Sequence, residues 1–274
     1  MESKLQIQRL AVGPVRANCY ILSLPGRDDC VLVDPGAQPE RILAAVKGRH
    51  IAAVLLTHGH FDHIGGVDGI LSPDTALYIH ELDEPMLRDP QKNMAVMIGQ
   101  ELAVKARASL VREGDTITAA GIPFTVLHTP GHTPACVSYL IGDAAFVGDT
   151  LFMPDYGTAR ADFPGGNAST LYRSIQKLLS LPEETRILTG HDYPPPSRGN
   201  PAWEASVAEH RRANIHVHDG IEEAAFVAMR EARDATLEAP LLILPSLQVN
   251  IRAGQMPPAS PGGHVYLKIP INAI

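Results

Sequence analysis

Four side chains able to bind a metal lie close together in the run HGHFDH at residues 58–63. The run holds His58, His60, Asp62 and His63, so three imidazoles and one carboxylate fall within six consecutive positions. Neutral imidazole and carboxylate are ligands that suit zinc, iron or manganese. This spacing is rare by chance, and only a tight turn could bring all four side chains onto one small centre. The run therefore predicts a metal site.

Three further residues extend the candidate set, and each directly follows a glycine. His132 lies in TPGHT, Asp149 in GDT and His191 in GHD. A histidine or aspartate of this kind, taken alone, is more often a surface, turn or capping residue. Taken together with HGHFDH, the three residues predict one metal centre whose ligands come from four separate segments.

Short apolar segments precede these candidate ligands and are predicted to be the strands that position them. Ala52–Thr57 is apolar up to its last residue, which is typical of a strand buried on both faces, and it leads directly to His58. Asp34 begins an Asp-Pro-Gly sequence that predicts a turn. The pattern predicts further strands at Leu5–Val12, Cys19–Leu24, Cys30–Val33, Ala76–Ile79, Thr116–Thr118, Ile122–His128, Val137–Ile141 and Ala144–Val147. The candidate ligands are therefore expected at the ends of strands.

Helical patterns alternate with these strands. Glu40–Val46 predicts one helix, Ile64–Leu71 the opening of another, and the stretch from Glu81 to about Ala108 a long helical excursion rich in Met and Ala. The breaker-rich segment Pro194–Pro201 predicts a boundary. We therefore expect residues 1–195 to form a catalytic core and residues 196–274 a C-terminal segment packed on that core.

The C-terminal segment is predicted to be helical and then extended. Trp203–Ala213 and Ile221–Ala232 have helical patterns, and Pro240–Ile251 reads as an extended run. Two roles stay open for this segment. It either caps the active-site pocket or places the apolar run Leu241–Leu244 in the contact of a homodimer.

Composition and charge exclude several classes of partner. The chain has 274 residues, 45% hydrophobic and 19% charged, which is ordinary for a globular protein. Its net charge is −7 and it lacks a basic stripe, so we expect no nucleic-acid partner. Neither a signal peptide nor an apolar run of about 20 residues is present, which predicts a cytoplasmic protein without a membrane partner. Cys19, Cys30 and Cys136 are expected to be buried, reduced thiols.

The order HGHFDH, TPGHT, GDT and GHD resembles that of the metallo-β-lactamase superfamily over about residues 5–193. The resemblance implies an α/β fold, a four-layer αββα sandwich with the metals at one edge of the paired sheets, here followed by a C-terminal extension. It also implies two divalent ions, usually zinc. The ligands carried over by position are His58, His60 and His132 for one ion, Asp62, His63 and His191 for the other, and Asp149 as the bridge.

The resemblance also implies a reaction mechanism. In hydrolytic members of the family, a metal-bound hydroxide attacks a carbonyl carbon, because bound divalent metal lowers the pKa of water toward about 7. Asp62 would then be the catalytic residue that takes or relays a proton as the tetrahedral intermediate breaks down.

The two halves of the chain resemble different branches of the family. Residues 12–150, with NCYIL, LVDPG and GDTLF, are similar to glyoxalase II, which cleaves glutathione thioesters. Residues 160–253, with RADFPGG, TLYRSI and NIRAG, resemble persulfide dioxygenases, which oxidise glutathione persulfide with O2 at a single Fe(II). In that branch the iron would be held by His58, His132 and Asp149.

We rank thioester hydrolysis first, because the half that bears the ligands carries that signature. Persulfide dioxygenation is the main alternative, and hydrolysis of a lactone, another ester or a β-lactam is a minor one. A metal-binding protein without turnover is the alternative from another class.

Both main branches act on small thiol-derived molecules that carry carboxylates. Arg160, Tyr193 and Arg198 are candidates, by position, for binding such a substrate. The sequence departs from the dioxygenase pattern at Asp155–Arg160, where a CGR-like stretch is expected.

Overall fold

The first of two six-stranded sheets places four parallel strands beside two antiparallel ones. It is seen in a computed structural model that describes residues 5–237. Strands β1 to β3 are antiparallel and β3 to β6 are parallel, so the carboxyl ends of β3 and β4 meet at one edge. In spatial order the strands are β1 (Gln6–Val12), β2 (Ala17–Ser23), β3 (Asp29–Val33), β4 (His50–Leu55), β5 (Ala76–His80) and β6 (Ser109–Val111).

The second sheet is mostly antiparallel and contains one parallel pair. Its strands in spatial order are β12 (Glu204–Ser206), β11 (Arg186–Thr189), β10 (Ala144–Gly148), β9 (Val137–Ile141), β8 (Ile122–His128) and β7 (Thr116–Ala119). The strands β10 and β11 are parallel, and Gly148 pairs with Thr189 at their carboxyl ends. The residues that follow these two strands, Asp149 and His191 among them, therefore start from the same edge.

Among residues 5–237, the α-helices lie mainly on the outer faces of the sheets. They are α1 (Pro39–Val46), α2 (Phe61–Ile64), α3 (Ala168–Leu179), α4 (Val207–Ala213) and α5 (Glu223–Asp234). On β2, Tyr20 packs between the sheets while its neighbour Ile21 packs toward α1. On β10, Phe146 lies between the sheets and Val147 packs toward α3 and α5. Alternate residues thus enter different cores, which explains the wholly apolar strands. The predicted four-layer αββα sandwich is confirmed.

The predicted helical excursion from Glu81 to about Ala108 is wrong. The chain forms only single 3₁₀ turns at Glu84–Leu87 and Ala95–Ile98 before it reaches β6. Buried Asn93 organises this irregular segment, because its side-chain amide donates to the carbonyl oxygens of Met86 and Leu102, each at 2.9 Å. Prolines and glycines interrupt the Met- and Ala-rich pattern too often for a long helix.

Helix boundaries also differ near the metal-binding run and after it. The helix predicted to open at Ile64 lies earlier, at Phe61–Ile64, and a separate 3₁₀ turn follows at Val67–Gly69. The two glycines between them, Gly65 and Gly66, favour this break. Helix α3 was not predicted from the sequence.

The C-terminal segment contributes to the sandwich. The helix predicted from Trp203 instead begins as strand β12, and α4 starts only after Ser206. Ser206 and Glu209 form a reciprocal cap, in which each side chain accepts a hydrogen bond from the other residue's backbone amide. The prediction for α5 holds with a small shift along the chain. The predicted extended run Pro240–Ile251, with its Leu241–Leu244 contact, lies outside the described residues.

Two smaller expectations concern the cysteines and membranes. All three cysteines are free and buried, as expected. Among residues 5–237, no helix combines the length and apolar character that a membrane crossing requires. The division of the chain at residue 195 stays a prediction.

Candidate metal centre

All seven residues proposed as metal ligands come together at one edge of the two sheets. They follow the carboxyl ends of β4, β8, β10 and β11, and within the described part of the chain they form three overlapping ligand groups. In each group the ligand atoms lie within 4.8 Å of one another, and the groups are His58, His60 and His132; His58, His63 and Asp149; and Asp62, His63 and His191.

Ring nitrogens face one another across the centre. His60 Nδ1 lies 3.1 Å from His58 Nε2 and 3.0 Å from His132 Nε2. In the other half, His63 Nε2 lies 3.3 Å from His191 Nε2. Lone pairs that converge at these distances repel one another unless a proton or a cation lies between them. The geometry therefore suits a cation in each half.

Asp149 lies between the two halves. Its Oδ2 is 3.7 Å from His132 Nε2 and 3.4 Å from His191 Nε2, while Oδ1 is 3.5 Å from His63 Nε2. Oδ1 is buried and has no hydrogen-bond partner among the described residues. An unsatisfied buried carboxylate oxygen is unfavourable, so the residues present fit a pair of divalent ions with Asp149 between them.

A glycine before Asp149 lets the two sheets meet at this edge. Gly148 has φ of +50°, and a Cβ atom there would lie 2.3 Å from Thr57 Oγ1. Any larger residue would therefore clash with the segment that carries His58, and it would also adopt a strained backbone conformation.

Two histidines are oriented by backbone carbonyls on their outer sides. His132 Nδ1 donates to the carbonyl oxygen of Arg160 at 2.8 Å, and His191 Nδ1 donates to that of Val15 at 3.2 Å. A hydrogen bond at Nδ1 fixes the proton on that atom and leaves the Nε2 lone pair directed at the centre.

Asp34 orients two more histidines, although the sequence predicted only a turn there. Its Oδ2 accepts from His63 Nδ1 at 2.9 Å and from Thr57 Oγ1 at 2.6 Å. Thr57 Oγ1 lies in turn 3.1 Å from His58 Nδ1. The only signal in the sequence is position, because Asp34 follows β3, the parallel neighbour of the strand that leads to His58.

The two halves of the centre differ in their electrostatics. Burial lowers the pKa of His60 to about 3 and holds that of His58 well below its usual value. Burial would also lower the pKa of His63, but Asp62, Asp149 and Asp34 outweigh it and raise that pKa well above its usual value. For Asp62, burial is outweighed by His63 and His191, and its pKa falls to about 2.

A second buried carboxylate, Asp83, connects two ligand-bearing loops and was missed from the sequence. Its Oδ2 accepts from the backbone amide of Gly59 and from Thr133 Oγ1, each at 3.1 Å. Gly59 lies between two ligands in HGHFDH, and Thr133 follows His132. Burial raises the pKa of Asp83 to about 6.

The three predicted substrate-binding residues lie in different environments. Tyr193 stacks on His191 with 5.2 Å between ring centroids, and 38% of the residue is exposed. Arg160 Nε pairs with Asp162 at 2.6 Å. Arg198 is engaged by two carboxylates, with Nε 2.6 Å from Asp155 Oδ2 and Nη2 bonded to Asp192. Tyr193 alone of the three directly contacts a candidate ligand through its side chain.

Aromatic side chains border the centre, and the sequence did not indicate them. The Phe163 ring lies 5.2 Å from the His60 ring and 5.4 Å from the His132 ring. On the other side, Phe152 lies 6.0 Å from His191 and 6.1 Å from Tyr193. These rings form an apolar border next to the polar centre.

Comparison with known proteins agrees with the fold. The family model of the metallo-β-lactamase superfamily matches residues 12–191, and the chain therefore belongs to that superfamily.

Its relatives include a probable metallo-hydrolase of Burkholderia pseudomallei (strain 1710b). That protein is 40% identical, and the match spans 93% of this chain and 95% of the relative. Glyoxylase B2 of Dictyostelium discoideum is 41% identical over 85% of this chain and 81% of its own length. The crystal structure of ETHE1 from Myxococcus xanthus is similar with a TM-score of 0.67 and 30% identity, covering 91% of this chain and 100% of that chain.

Proposed function

We propose that the protein hydrolyses a glutathione-type thioester at a two-metal centre. The observation that carries this proposal is the second complete ligand group, Asp62, His63 and His191, which lies beside the first. In this group both histidines are buried and Asp62 is half-buried. A dioxygenase with one iron would use only His58, His132 and Asp149. The similarity to Glyoxylase B2 supports the same choice.

The chain's own residues would hold the ions and the substrate. One ion would be held by His58, His60 and His132. The other ion would be held by Asp62, His63 and His191, and Asp149 would contact both ions. Bound divalent ions would lower the pKa of water toward about 7 and polarise the substrate carbonyl.

In this proposal Asp62 moves the proton. Its Oδ2 lies 3.1 Å from His191 Nε2, and its low pKa keeps the carboxylate ionised. As the water oxygen forms a bond to the carbonyl carbon, Asp62 accepts the proton of the water. The carbon–sulfur bond then breaks, and Asp62 returns the proton to the departing sulfur, so that an acid and a thiol are formed.

Aromatic residues and Tyr193 would position the substrate. Burial raises the pKa of the Tyr193 hydroxyl well above its usual value, and Asp149 and Asp62 add to this effect. The hydroxyl therefore stays neutral and can donate a hydrogen bond to a substrate carboxylate or carbonyl. The rings of Phe163 and Phe152 would limit the access of water on two sides of the centre.

Persulfide dioxygenation is the second candidate, and a specific observation favours it. The similarity to ETHE1 includes all of that chain and 91% of this one, so it continues beyond the family match that ends at residue 191. The residues that resemble the dioxygenase branch include those of α5.

One variant separates the two reactions, because His191 belongs only to the two-metal proposal. Purified wild type and His191→Ala are assayed for cleavage of S-lactoylglutathione and for oxygen uptake with glutathione persulfide, with metal content determined by elemental analysis. We expect wild type to cleave the thioester and His191→Ala to lose roughly 100-fold or more of this activity. His218→Ala, which changes an exposed histidine, is the matched control. Persulfide-dependent oxygen uptake that survives in His191→Ala would contradict the proposal.

A further inference from the structure

Helix α5 carries an ion pair in the interior of the protein. Arg230 is 1% exposed and Asp234 5% exposed. Arg230 donates to Asp234 Oδ1 from Nη2 at 2.5 Å and from Nε at 3.0 Å. Removing two charges from water is unfavourable, so a buried pair contributes little net stability compared with apolar side chains of the same size. Net stability alone therefore does not explain why this ion pair is buried.

Both members of the pair also contact the loop 157–161. Asp234 Oδ2 accepts from the backbone amide of Ala161 at 2.9 Å. Arg230 Nη1 donates to the carbonyl oxygen of Thr158 at 3.4 Å. The loop segment is itself buried, with Thr158 2% and Ala161 7% exposed. The ion pair thus supplies charged hydrogen-bond partners to the loop backbone.

The chain between α4 and α5 holds the same loop from its other end. His216 Nδ1 accepts from the backbone amide of Thr158 at 3.0 Å, and Asn214 Nδ2 donates to the carbonyl oxygen of Gly157 at 3.2 Å. A Cβ atom at Gly157 would lie 2.1 Å from His216 Nδ1, so the two segments are in close contact. The C-terminal segment therefore fixes the loop at several points.

The residue held between these contacts is Arg160. Its carbonyl oxygen accepts the outer proton of His132 at 2.8 Å, and it lies between the anchored residues Thr158 and Ala161. A displacement of this carbonyl would turn the His132 ring and move Nε2 away from His58 and His60.

We propose that Arg230 and Asp234 are positioning residues for the metal centre, acting through the Arg160 carbonyl on His132. The inference rests on the metal centre of the proposed function, but not on which sulfur substrate that centre transforms. It gives part of the C-terminal segment a role in the site, in addition to its packing on the sandwich.

The test replaces the pair with apolar residues in the double variant R230M/D234L. Such replacements of buried ion pairs often leave stability unchanged or raise it, so the variant is expected to fold. The Ala161 amide nevertheless loses its acceptor. The dissociation constants of the first and the second zinc ion are measured by competition with a chromogenic chelator. The absorption spectrum of the cobalt(II)-substituted protein reports the ligand geometry directly.

We expect one of the two zinc dissociation constants to rise by roughly 10-fold and the other to stay unchanged, because removal of an outer partner of a histidine ligand weakens metal binding. The matched control is Glu223→Gln. It breaks an exposed α5 pair, Glu223 with Arg173 at 2.8 Å, that lies away from the loop. Glu223→Gln is expected to bind both zinc ions as wild type does.

A second variant covers the case in which R230M/D234L does not fold. In Asp234→Asn, an amide nitrogen replaces one carboxylate oxygen. The single oxygen that remains cannot accept from both Arg230 and Ala161, so the same loss of zinc affinity is expected. Folded variants that bind both zinc ions as tightly as wild type, with an unchanged cobalt spectrum, would overturn the inference. A wild type that binds two zinc ions but cleaves no thioester would overturn the proposed function and leave this inference standing.

Discussion

His63 Nδ1 donates to Asp34 Oδ2 at 2.9 Å, and both side chains are buried. Through Thr57, the same carboxylate also supports His58. One acidic side chain therefore orients a histidine in each half of the centre. Asp34 has φ of +49°, a left-handed conformation that aspartate and asparagine tolerate better than most residues.

Asp34→Asn should weaken metal binding without disturbing the backbone. Asparagine has the same shape and tolerates the same φ, but its amide donates where His63 and Thr57 need an acceptor. We expect zinc affinity to fall by about 10- to 100-fold in a chelator competition assay. Asp28→Asn, at an exposed position, is the control. Wild-type affinity in Asp34→Asn would show that the carboxylate does not orient the ligands.

Zinc binding should release protons from only one half of the centre. In the metal-free protein His58 and His60 are neutral at pH 6, because burial lowers their pKa values. His63 is protonated at this pH because Asp62, Asp149 and Asp34 raise its pKa. A zinc ion entering the His63 half must displace that proton, so its affinity should rise as pH increases.

Calorimetry in buffers with different ionisation enthalpies would measure this difference. One binding step should have a buffer-dependent enthalpy and the other should not. For the metal-free fold, the raised pKa of His63 contributes stability that is present below the unfolded pKa of about 6.5 and is lost as pH rises through the folded pKa. Two steps with equal proton release would contradict this difference.

Asp83→Asn should change how stability depends on pH. The folded pKa of Asp83 is about 6 because the carboxyl is buried, whereas its unfolded value is about 3.9. Its contribution is therefore fully present below pH of about 4 and is lost as pH rises through about 6. Asparagine keeps both hydrogen bonds and carries no charge, since its oxygen can accept from the Gly59 amide and from Thr133 Oγ1, as Oδ2 does in wild type.

The measurement for this variant is urea unfolding of the metal-free proteins at several pH values. Relative to wild type, Asp83→Asn should gain up to about 3 kcal/mol between pH 4 and pH 7. A difference that does not change with pH would mean that Asp83 is not the titrating group. Because both proteins keep all seven ligands, titration of the ligands cancels in the comparison.

Arg198→Gln should reduce stability more than substrate affinity. Arg198 pairs with Asp155 and Asp192, and the Asp192 side chain is 1% exposed while that of Arg198 is 20% exposed. Loss of the guanidinium leaves Asp192 without its counter-charge. Because the pair is partly open to solvent, we expect a loss of about 1 to 2 kcal/mol in unfolding free energy and an unchanged KM. A several-fold rise in KM at unchanged stability would instead assign Arg198 to substrate binding.

The sequence predicted which residues cluster at the sheet edge, because the candidate ligands carry a local signal. HGHFDH is dense enough to stand out, and the candidates His132, Asp149 and His191 follow strands whose apolar runs are visible without a structure. Asp34 and Asp83 carry no such signal, since each is a single acidic residue whose role depends on contacts with distant segments.

The same reason explains the errors in the fold. The Met- and Ala-rich residues 81–108 suggested helix from composition, while the actual path depends on Asn93, which bonds across the segment. Helix α5 was predicted, but the role we propose for it was not. That role depends on how Arg230 and Asp234 meet a loop some 70 residues earlier in the chain, as the Ala161 to Asp234 contact shows.

The most direct test of the central claim is the metal content of protein purified without added metal, measured beside thioester cleavage and persulfide-dependent oxygen uptake on the same sample. We predict about two zinc ions per chain, as a two-metal hydrolase requires, together with cleavage of S-lactoylglutathione. About one iron per chain with persulfide-dependent oxygen uptake and no thioester cleavage would contradict the hydrolase and establish the dioxygenase in its place.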